Sequence, residues 1–239
     1  MDPLMLRWAV FRSGQGPYDD YRITALAANP TDRERFSSSI RFLSLAFHSD
    51  LEMPPQGREV FLFWQLAPKE WALALVLDDP DLVGRRRGLE YLVLVLDDDQ
   101  LGRLGGTPLP VMGIGAIWSA IRRKAMMGEE QMLPWALPEE EAPVPGLPLG
   151  SLPSELPATP ESLERLRQYL VQLATQGKTI PFATWWPSAR TAPRGVFSTL
   201  LRAPSMRLPG RGETKEAAEP GIGASGHPPY PLHRRPRAE

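Results

Sequence analysis

The 239-residue sequence contains no cysteine and only three histidines. Without cysteine the chain has no disulfide framework, no thiolate nucleophile and no cysteine-based zinc site, and we predict a cytoplasmic location because a reducing compartment tolerates this composition. His48 follows a predicted helix, whereas His227 and His233 fall in a region rich in proline and glycine. We therefore expect no catalytic triad and no histidine-ligated metal site. The sequence indicates no catalytic residue, no metal ligand and no cofactor.

The chain also lacks a surplus of charge, since 27 Lys and Arg residues face 28 Asp and Glu residues and the formal net charge is −1. A balanced charge gives no bulk attraction to nucleic acid or to an anionic membrane surface. We therefore expect no nucleic-acid partner. The first residues do not resemble a secretory signal, because Asp2 stands where such a signal has positive charge and Arg7 interrupts the apolar run.

Long apolar runs without helix breakers are missing as well. The best candidate for a membrane span, 105–121, contains two prolines and four glycines, whereas a spanning helix needs about 20 predominantly apolar residues. An amphipathic helix over 114–127 leaves peripheral membrane attachment as an alternative. Its apolar stripe consists of Ile114, Ile117, Trp118 and Ile121. Such a stripe is more often the core face of an ordinary helix, so we do not expect a membrane partner.

Proline divides the chain, because 18 of its 27 prolines lie from Pro134 onward. Residues 1–132 are predicted to form an α+β domain. The segment 133–158 is so dense in proline that it is predicted to be a semi-rigid Pro-rich linker. Residues 159–203 are predicted to form a helix and short strands that complete the same domain, since so short a segment gives little core of its own. Disorder is expected over 204–239, which is poor in aliphatic residues.

Three apolar, strand-like runs lie between residues 59 and 96, namely FLFWQL, WALALVL and LEYLVLVL. Before them, 6–11 and 21–27 are predicted to pair as a hairpin. Later runs at 178–183 and 196–201 are predicted to be short strands, and Pro181 makes the first of these an edge strand or a late start.

Two helices are predicted from their caps and apolar stripes. The first begins at Thr31, which forms a capping box with Glu34. Its stripe consists of Phe36, Ile40, Leu43 and Phe47. The second has Thr159 as its cap, begins at Pro160 and ends at Gly177. The order of elements predicts an α+β fold with a mixed, largely antiparallel sheet, two amphipathic helices, a Pro-rich linker and a disordered C-terminal tail.

The charged segment DDPDLVGRRRG joins the second and third of the apolar runs. Its candidate binding residues are Asp81, Gly84, Arg85, Arg86, Arg87 and Gly88. The guanidinium groups could bind a phosphate or a carboxylate. The plainer interpretation, which we favour, is a solvent-exposed turn whose arginines pair with the neighbouring aspartates.

Two runs of aspartate follow predicted strands, one within 78–81 and the other at 97–99. Adjacent carboxylates could coordinate Mg²⁺ or Ca²⁺. However, neither an EF-hand spacing nor a phosphate loop with its lysine accompanies them. We therefore interpret both runs as solvated turns that end the strands.

The run from FWQL through WALALVLDDPDLVGRRRGLEYLVLVL resembles the core of the bacterial GTPase-associated protein family, in which a strand, an aspartate, a GR-x-G loop and another strand follow in order. The matching positions are Asp81, Gly84, Arg85 and Gly88. A second similarity covers 186–199, where a proline-and-arginine segment precedes an F-S-T strand. The two similar segments together span 48 of the 239 residues. The chain departs from the family in having Val93 or a neighbour where relatives have histidine, and in having Arg87 as a third loop arginine.

The resemblance implies a non-catalytic adaptor or regulatory protein-interaction module, like the N-terminal adaptor domain of predicted NTPase-dependent conflict systems. Its protein partners would then be a GTPase and an effector in a bacterial conflict or signalling system. The alternative is an enzyme that acts on an anionic or phosphorylated small molecule, with Arg85 to Arg87 as the substrate clamp and with Asp78, Asp79 or Asp81 as base or metal ligand. The oligomeric state is left open by the sequence.

Overall fold

A computed structural model describes residues 3–13, 21–27, 33, 58–78, 89–136, 150–188, 191–192 and 195–204. Nine strands and four helices lie within these residues. The strands are β1 (Leu4–Ser13), β2 (Tyr21–Ala27), β3 (Val60–Ala67), β4 (Glu70–Asp78), β5 (Leu89–Asp97), β6 (Leu133–Trp135), β7 (Glu155–Pro157), β8 (Phe182–Trp186) and β9 (Thr199–Arg202). The helices are α1 (Asp98–Arg103), α2 (Leu109–Met112), α3 (Gly115–Met126) and α4 (Pro160–Thr175).

All nine strands belong to one sheet, in the order β2-β1-β5-β4-β3-β8-β9-β7, with β6 added beside β1. Every pairing among β1 to β6, and that of β3 with β8, is antiparallel. Only β9 pairs in parallel, with β8 on one side and β7 on the other. The predicted α+β fold with a mixed, largely antiparallel sheet is therefore confirmed.

The three apolar runs form strands as predicted, and these strands lie at the centre of the sheet. β4 pairs with β5 along its full length, from Glu70 opposite Asp97 to Asp78 opposite Leu89. Side chains alternate between the two faces of a strand, so a run without polar positions indicates burial on both faces. β5 agrees with this expectation, because all its side chains are buried except the last.

The predicted N-terminal hairpin is also present. β1 pairs antiparallel with β2, and the register shifts between Val10 and Phe11, which marks an irregularity in the ladder. The other edge of β1 pairs with β5, where Arg12 lies opposite Glu90. The first residues of β1 pair with β6. β1 therefore joins the hairpin to the central strands.

The C-terminal elements extend the same sheet. Thr159 caps α4 through a hydrogen bond from the backbone N–H of Ser162 to its hydroxyl, and Pro160 is the first helical residue, as predicted. Gly177 follows the helix with a positive φ of 65°, a conformation that glycine adopts without strain. β8 begins at Phe182, which agrees with the late start that Pro181 implied.

The segment predicted to be a linker, 133–158, contains a strand at each end, β6 and β7. Both are three residues long and contain proline, and among the described strands each has a partner on one side only, where proline is tolerated. Of the predicted helix from Thr31 to Phe47, the structure describes Arg33, which is helical and exposed. The rest of that helix, the predicted disordered tail beyond Pro204 and residues 137–149 of the linker lie outside the described residues.

Candidate functional site

The six candidate binding residues, from Asp81 to Gly88, lie outside the described residues. The structure does show where the connection 79–88, which joins β4 to β5, leaves the sheet. Asp78 ends β4 and is the cross-strand partner of Leu89, which begins β5. The connection therefore joins two central strands at one end of the sheet. We call this end, marked by Arg12, Asp78, Leu89 and Glu90, the loop end.

A buried carboxylate lies at the loop end, directly after the connection. Glu90 is the second residue of β5 and is fully buried. It is the only Asp or Glu residue that is buried within the described part of the chain. Moving an ionised carboxylate out of water is strongly unfavourable unless cations and hydrogen-bond donors replace the water.

Two arginines from different elements replace that water. Arg12, the cross-strand partner of Glu90 on β1, places Nε 2.8 Å and Nη2 2.6 Å from Oε1. Arg122, from α3, places Nε 2.9 Å from Oε2. The ion-pair cluster of Glu90, Arg12 and Arg122 therefore connects β1, β5 and α3 at the loop end.

The two carboxylate oxygens are satisfied to different degrees. Oε1 accepts a hydrogen bond from Arg12 Nε. Among the residues that the structure describes, none donates an aligned hydrogen bond to Oε2, although the Arg122 guanidinium lies beside it. The contact with Arg122 is therefore an electrostatic attraction without the directional part of a charge-assisted hydrogen bond.

None of the sequence motifs indicated this cluster, although the sequence contains a signal for it. Glu90 is the only charged residue in the run LEYLVLVL. A strand that is buried on both faces leaves no solvent for a charged side chain, so its carboxylate requires buried partners of opposite charge. The sequence could not reveal the partners, because Arg12 and Arg122 are brought to Glu90 only by strand pairing and by helix packing.

The aspartate run at 97–99 caps a helix. Asp97 is the N-cap of α1, and it forms a capping box with Gln100 in which each side chain accepts a hydrogen bond from the backbone N–H of the other residue. Asp98 Oδ1 accepts a hydrogen bond of 3.3 Å from Trp71 Nε1. The run does end β5, but it also begins a helix, where negative charge near the N-terminus is favourable.

A second ion pair lies near this capped helix. Arg7 on β1 places Nη2 2.8 Å from Glu70 Oε1, and Glu70 is the cross-strand partner of Asp97. We call this end of the sheet, marked by Arg7, Glu70 and Asp97, the cap end. No group of three or more His, Cys, Asp or Glu side chains that could hold a metal ion occurs among the residues described.

The alternative of peripheral membrane attachment depends on the apolar stripe of α3. This stripe faces the protein core. Ile117, Trp118 and Ile121 of α3 are buried, and the Trp118 ring lies 5.9 Å from the Phe61 ring of β3. α3 packs against β1, β2, β5 and β6. These side chains are therefore not available to a lipid surface. In the described part of the chain, no helix has the length and apolar character needed to cross a membrane.

Each of the two segments that carry the family resemblance contributes described residues to the core, such as Val93 and Trp186. Val93, near the position where the family has histidine, is fully buried in the middle of β5. In the second segment, the Phe197 ring packs 5.4 Å from the Trp186 ring at an interplanar angle of 59°. Comparison of the chain with known family models, with curated proteins and with solved structures found no match.

Proposed function

We propose that this chain is a non-catalytic adaptor or regulatory protein-interaction module that acts with a GTPase and effector proteins in a bacterial conflict or signalling system. The proposed contact surface is the loop end of the sheet. The family resemblance supplies the class of partner, and the ion-pair cluster supports the position of the surface.

The observation that supports this proposal is the placement of Glu90 at the base of the 79–88 connection. A buried ion pair generally adds no more stability than apolar packing of the same volume. The cluster does fix the ends of β1 and β5 against α3, since Arg12 and Arg122 both contact Glu90. Binding loops are commonly carried by such rigid scaffolds, because a fixed base limits the conformations that binding must order.

The direct test is affinity purification from the source bacterium with the full chain as bait. The test variant combines Asp81→Ala with Arg85→Ala. The matched control combines Glu164→Ala with Arg165→Ala, which likewise removes one acidic and one basic side chain, because both residues are exposed on α4. Partners recovered by the wild type are identified by mass spectrometry, purified and titrated against each variant by calorimetry.

The proposal expects a GTPase or an effector that binds the wild type and the control alike and binds the loop variant at least about tenfold more weakly. A tenfold change corresponds to about 1.4 kcal/mol, within the range of a lost charge-assisted contact. Equal binding by the loop variant and the control contradicts the proposal. Turnover of an anionic small molecule that the loop variant loses, with partner binding intact, contradicts it in favour of an enzyme.

A further inference from the structure

One face of the central sheet is apolar and buried, and we name it the alanine face after Ala9, Ala72 and Ala74. Successive residues of a strand point to opposite faces, whereas cross-strand partners share a face. Ala74 of β4 lies between Leu62 of β3 and Val93 of β5, and Val93 is also the partner of Ala9 of β1. The neighbouring rows of partners add further members to this face: Phe11, Val60, Trp64, Ala72, Val76, Tyr91 and Val95. Each of these side chains is 3% exposed or less.

α3 lies on the opposite face of the same strands. Its Trp118 ring packs 5.9 Å from the Phe61 ring, and its Arg122 guanidinium lies beside Glu90. Phe61 and Glu90 each stand next to a residue of the alanine face in the sequence, so they point the other way. α3 therefore does not account for the burial of the alanine face.

The other described helices leave the centre of the alanine face without cover as well. Asp98 of α1 accepts a hydrogen bond from Trp71, which precedes Ala72 on β4 and points to the α3 side. α2 is joined to α3 by a hydrogen bond from Trp118 to the Met112 carbonyl. α4 connects β7 to β8, which lie beyond β3 in the sheet. A helix about 10 Å wide covers about two strands that are about 4.8 Å apart, so the burial over β1, β5 and β4 requires a segment outside the described residues.

The strand directions show which connections cross the sheet. β2 and β3 run in the same direction, because each neighbouring pair from β2 through β1, β5 and β4 to β3 is antiparallel. β5 and β6 also run in this direction, since both are antiparallel to β1. β6 lies on the β2 side of β1, because on the β5 side the Met5 carbonyl accepts a hydrogen bond from Gln100, just after β5.

Both connections are therefore crossovers between parallel strands, and they proceed in opposite directions across the sheet. Such crossovers are right-handed in about 98% of cases. Two crossovers of the same hand between strands that run the same way lie on opposite faces when they proceed in opposite directions. Because the crossover from β5 to β6 contains α3, the crossover from β2 to β3 belongs on the alanine face.

The sequence of this second crossover fits the alanine face. The helix predicted over 31–47 has the apolar stripe Phe36, Ile40, Leu43 and Phe47. Arg33, which belongs to its polar side, is helical and exposed. A helix of this length measures about 25 Å, and the four strand spacings from β2 to β3 measure about 19 Å, so the segment can span the face. The large side chains of the stripe complement the small alanines of the sheet, because protein interiors are closely packed.

The other segments outside the described residues lack an apolar stripe. Segment 14–20 contains no aliphatic residue, and 79–88 is the charged connection at the loop end. Segment 137–149 has four prolines, and the segment from 205 onward is rich in proline, glycine and charge. Composition therefore favours 31–47 as the cover.

We infer that the apolar stripe of the helix predicted over 31–47 packs on the alanine face and completes the core. This inference goes beyond the proposed function and does not depend on it. With α3 on one face and 31–47 on the other, the central strands offer a partner their ends, including the loop end, rather than a face.

The first test uses the absence of cysteine, because a single introduced cysteine then reports the burial of one site through its reaction with dithionitrobenzoate. Ala74→Cys reports on the alanine face, and Leu73→Cys, the adjacent residue of β4, reports on the α3 side. Each reporter is combined with Ile40→Asp, which places a charge in the stripe, or with Ser38→Asp, which places the same charge on the polar side of the helix.

We expect Ile40→Asp to raise the reaction rate of Ala74→Cys at least about tenfold over Ser38→Asp, because a buried charge releases the helix and opens the face. The rate of Leu73→Cys should change less than about twofold. Equal rates of Ala74→Cys in the two backgrounds overturn the inference. An equal rise at both reporters, in a variant that keeps its thermal unfolding transition, overturns it as well.

Photocrosslinking of the full chain decides the question if Ile40→Asp fails to fold. p-Benzoylphenylalanine replaces Phe47 in the stripe, and the same amino acid replaces Ser38 as the control. After irradiation, mass spectrometry should find adducts of position 47 on alanine-face residues of β1, β3, β4 or β5, and none of position 38. Adducts of position 47 on the α3 side, or an absence of adducts with the sheet, overturn the inference. Adducts of doubled mass assign the alanine face to a second copy of the chain and also overturn it.

Discussion

β1 carries an ion pair near each end of the sheet, and the two differ in how far the carboxylate is removed from water. At the cap end, Arg7 and Glu70 are 18% and 21% exposed and lie 2.8 Å apart. At the loop end, Glu90 is fully enclosed and lies beside two arginines. Arg7 and Arg12 are five residues apart on one strand, so they project from opposite faces of the sheet.

The difference shows what burial demands of a carboxylate. Glu70 keeps contact with solvent, so its charge remains partly hydrated, and the attraction to Arg7 is screened. Glu90 has no solvent contact, and its charge must be balanced within the protein. The same residue types therefore contribute a minor surface interaction at the cap end and a structural requirement at the loop end.

The largest expected effect follows from removing both arginines that contact Glu90 at the loop end. Arg12→Met with Arg122→Met leaves Glu90 buried without the two arginines, and we expect the free energy of unfolding to fall by about 3–5 kcal/mol, measured by urea denaturation. Adding Glu90→Leu to this double variant removes the buried charge and is expected to restore more than half of the loss. A triple variant as unstable as the double variant contradicts the assigned role of the charge.

A smaller effect on stability is expected at the cap end, from the N-cap residue of α1. Asp97→Ala removes the side chain that accepts the Gln100 backbone N–H in the capping box. We expect a loss of about 1 kcal/mol in the free energy of unfolding. Asp99→Ala is the matched control, since Asp99 is exposed in the first turn of α1. Equal losses from both variants would contradict a specific capping role for Asp97.

The partly exposed ion pair of the cap end should have a still smaller effect. A double-mutant cycle with Arg7→Ala and Glu70→Ala is expected to give a coupling energy below about 1 kcal/mol that decreases further at 1 M salt. The same cycle with Arg12→Ala and Glu90→Ala should give a larger coupling energy that changes less with salt. Similar coupling energies in the two cycles would remove the distinction between the two ends.

The smallest expected effect concerns the pKa of a fully exposed carboxylate. Hydrogen bonds from its own backbone N–H and from the Thr159 hydroxyl lower the pKa of Glu161, which is fully exposed in the first turn of α4. Because the folded pKa lies below the unfolded value, the stabilisation is present above the unfolded pKa and is lost as pH falls through the folded one. Titration by NMR should show this lowered pKa, and Thr159→Ala should raise it towards its ordinary value. An unchanged midpoint in the variant would exclude the hydroxyl as a cause.

The sequence was sufficient to predict the helices and strands whose signals lie in consecutive residues. The apolar runs predicted β3, β4 and β5, and Thr159 with Pro160 predicted the start of α4, because burial of a whole strand and the capping of a helix leave their pattern in consecutive residues. The strands of the Pro-rich segment were missed, because three-residue strands that contain proline lack such a pattern.

The ion-pair cluster depends on contacts between distant residues, and for this reason it could not be predicted in full. Glu90 in an apolar strand is a signal, overlooked in the sequence, that cations are needed nearby, but Arg12 is 78 residues away in sequence and Arg122 lies on a separate helix. The apolar stripe of α3 was assigned correctly to the core, because helical periodicity is a local signal.

The comparison between the two ends is tested most directly by hydrogen exchange of the full chain, alone and in complex with the protein partner recovered by affinity purification. Our account predicts slower amide exchange on binding for peptides covering 78–90 and 118–124, at the loop end, and unchanged exchange for peptides covering 97–104, at the cap end. Protection of 97–104 with no change over 78–90 would contradict the proposal that the loop end is the contact surface.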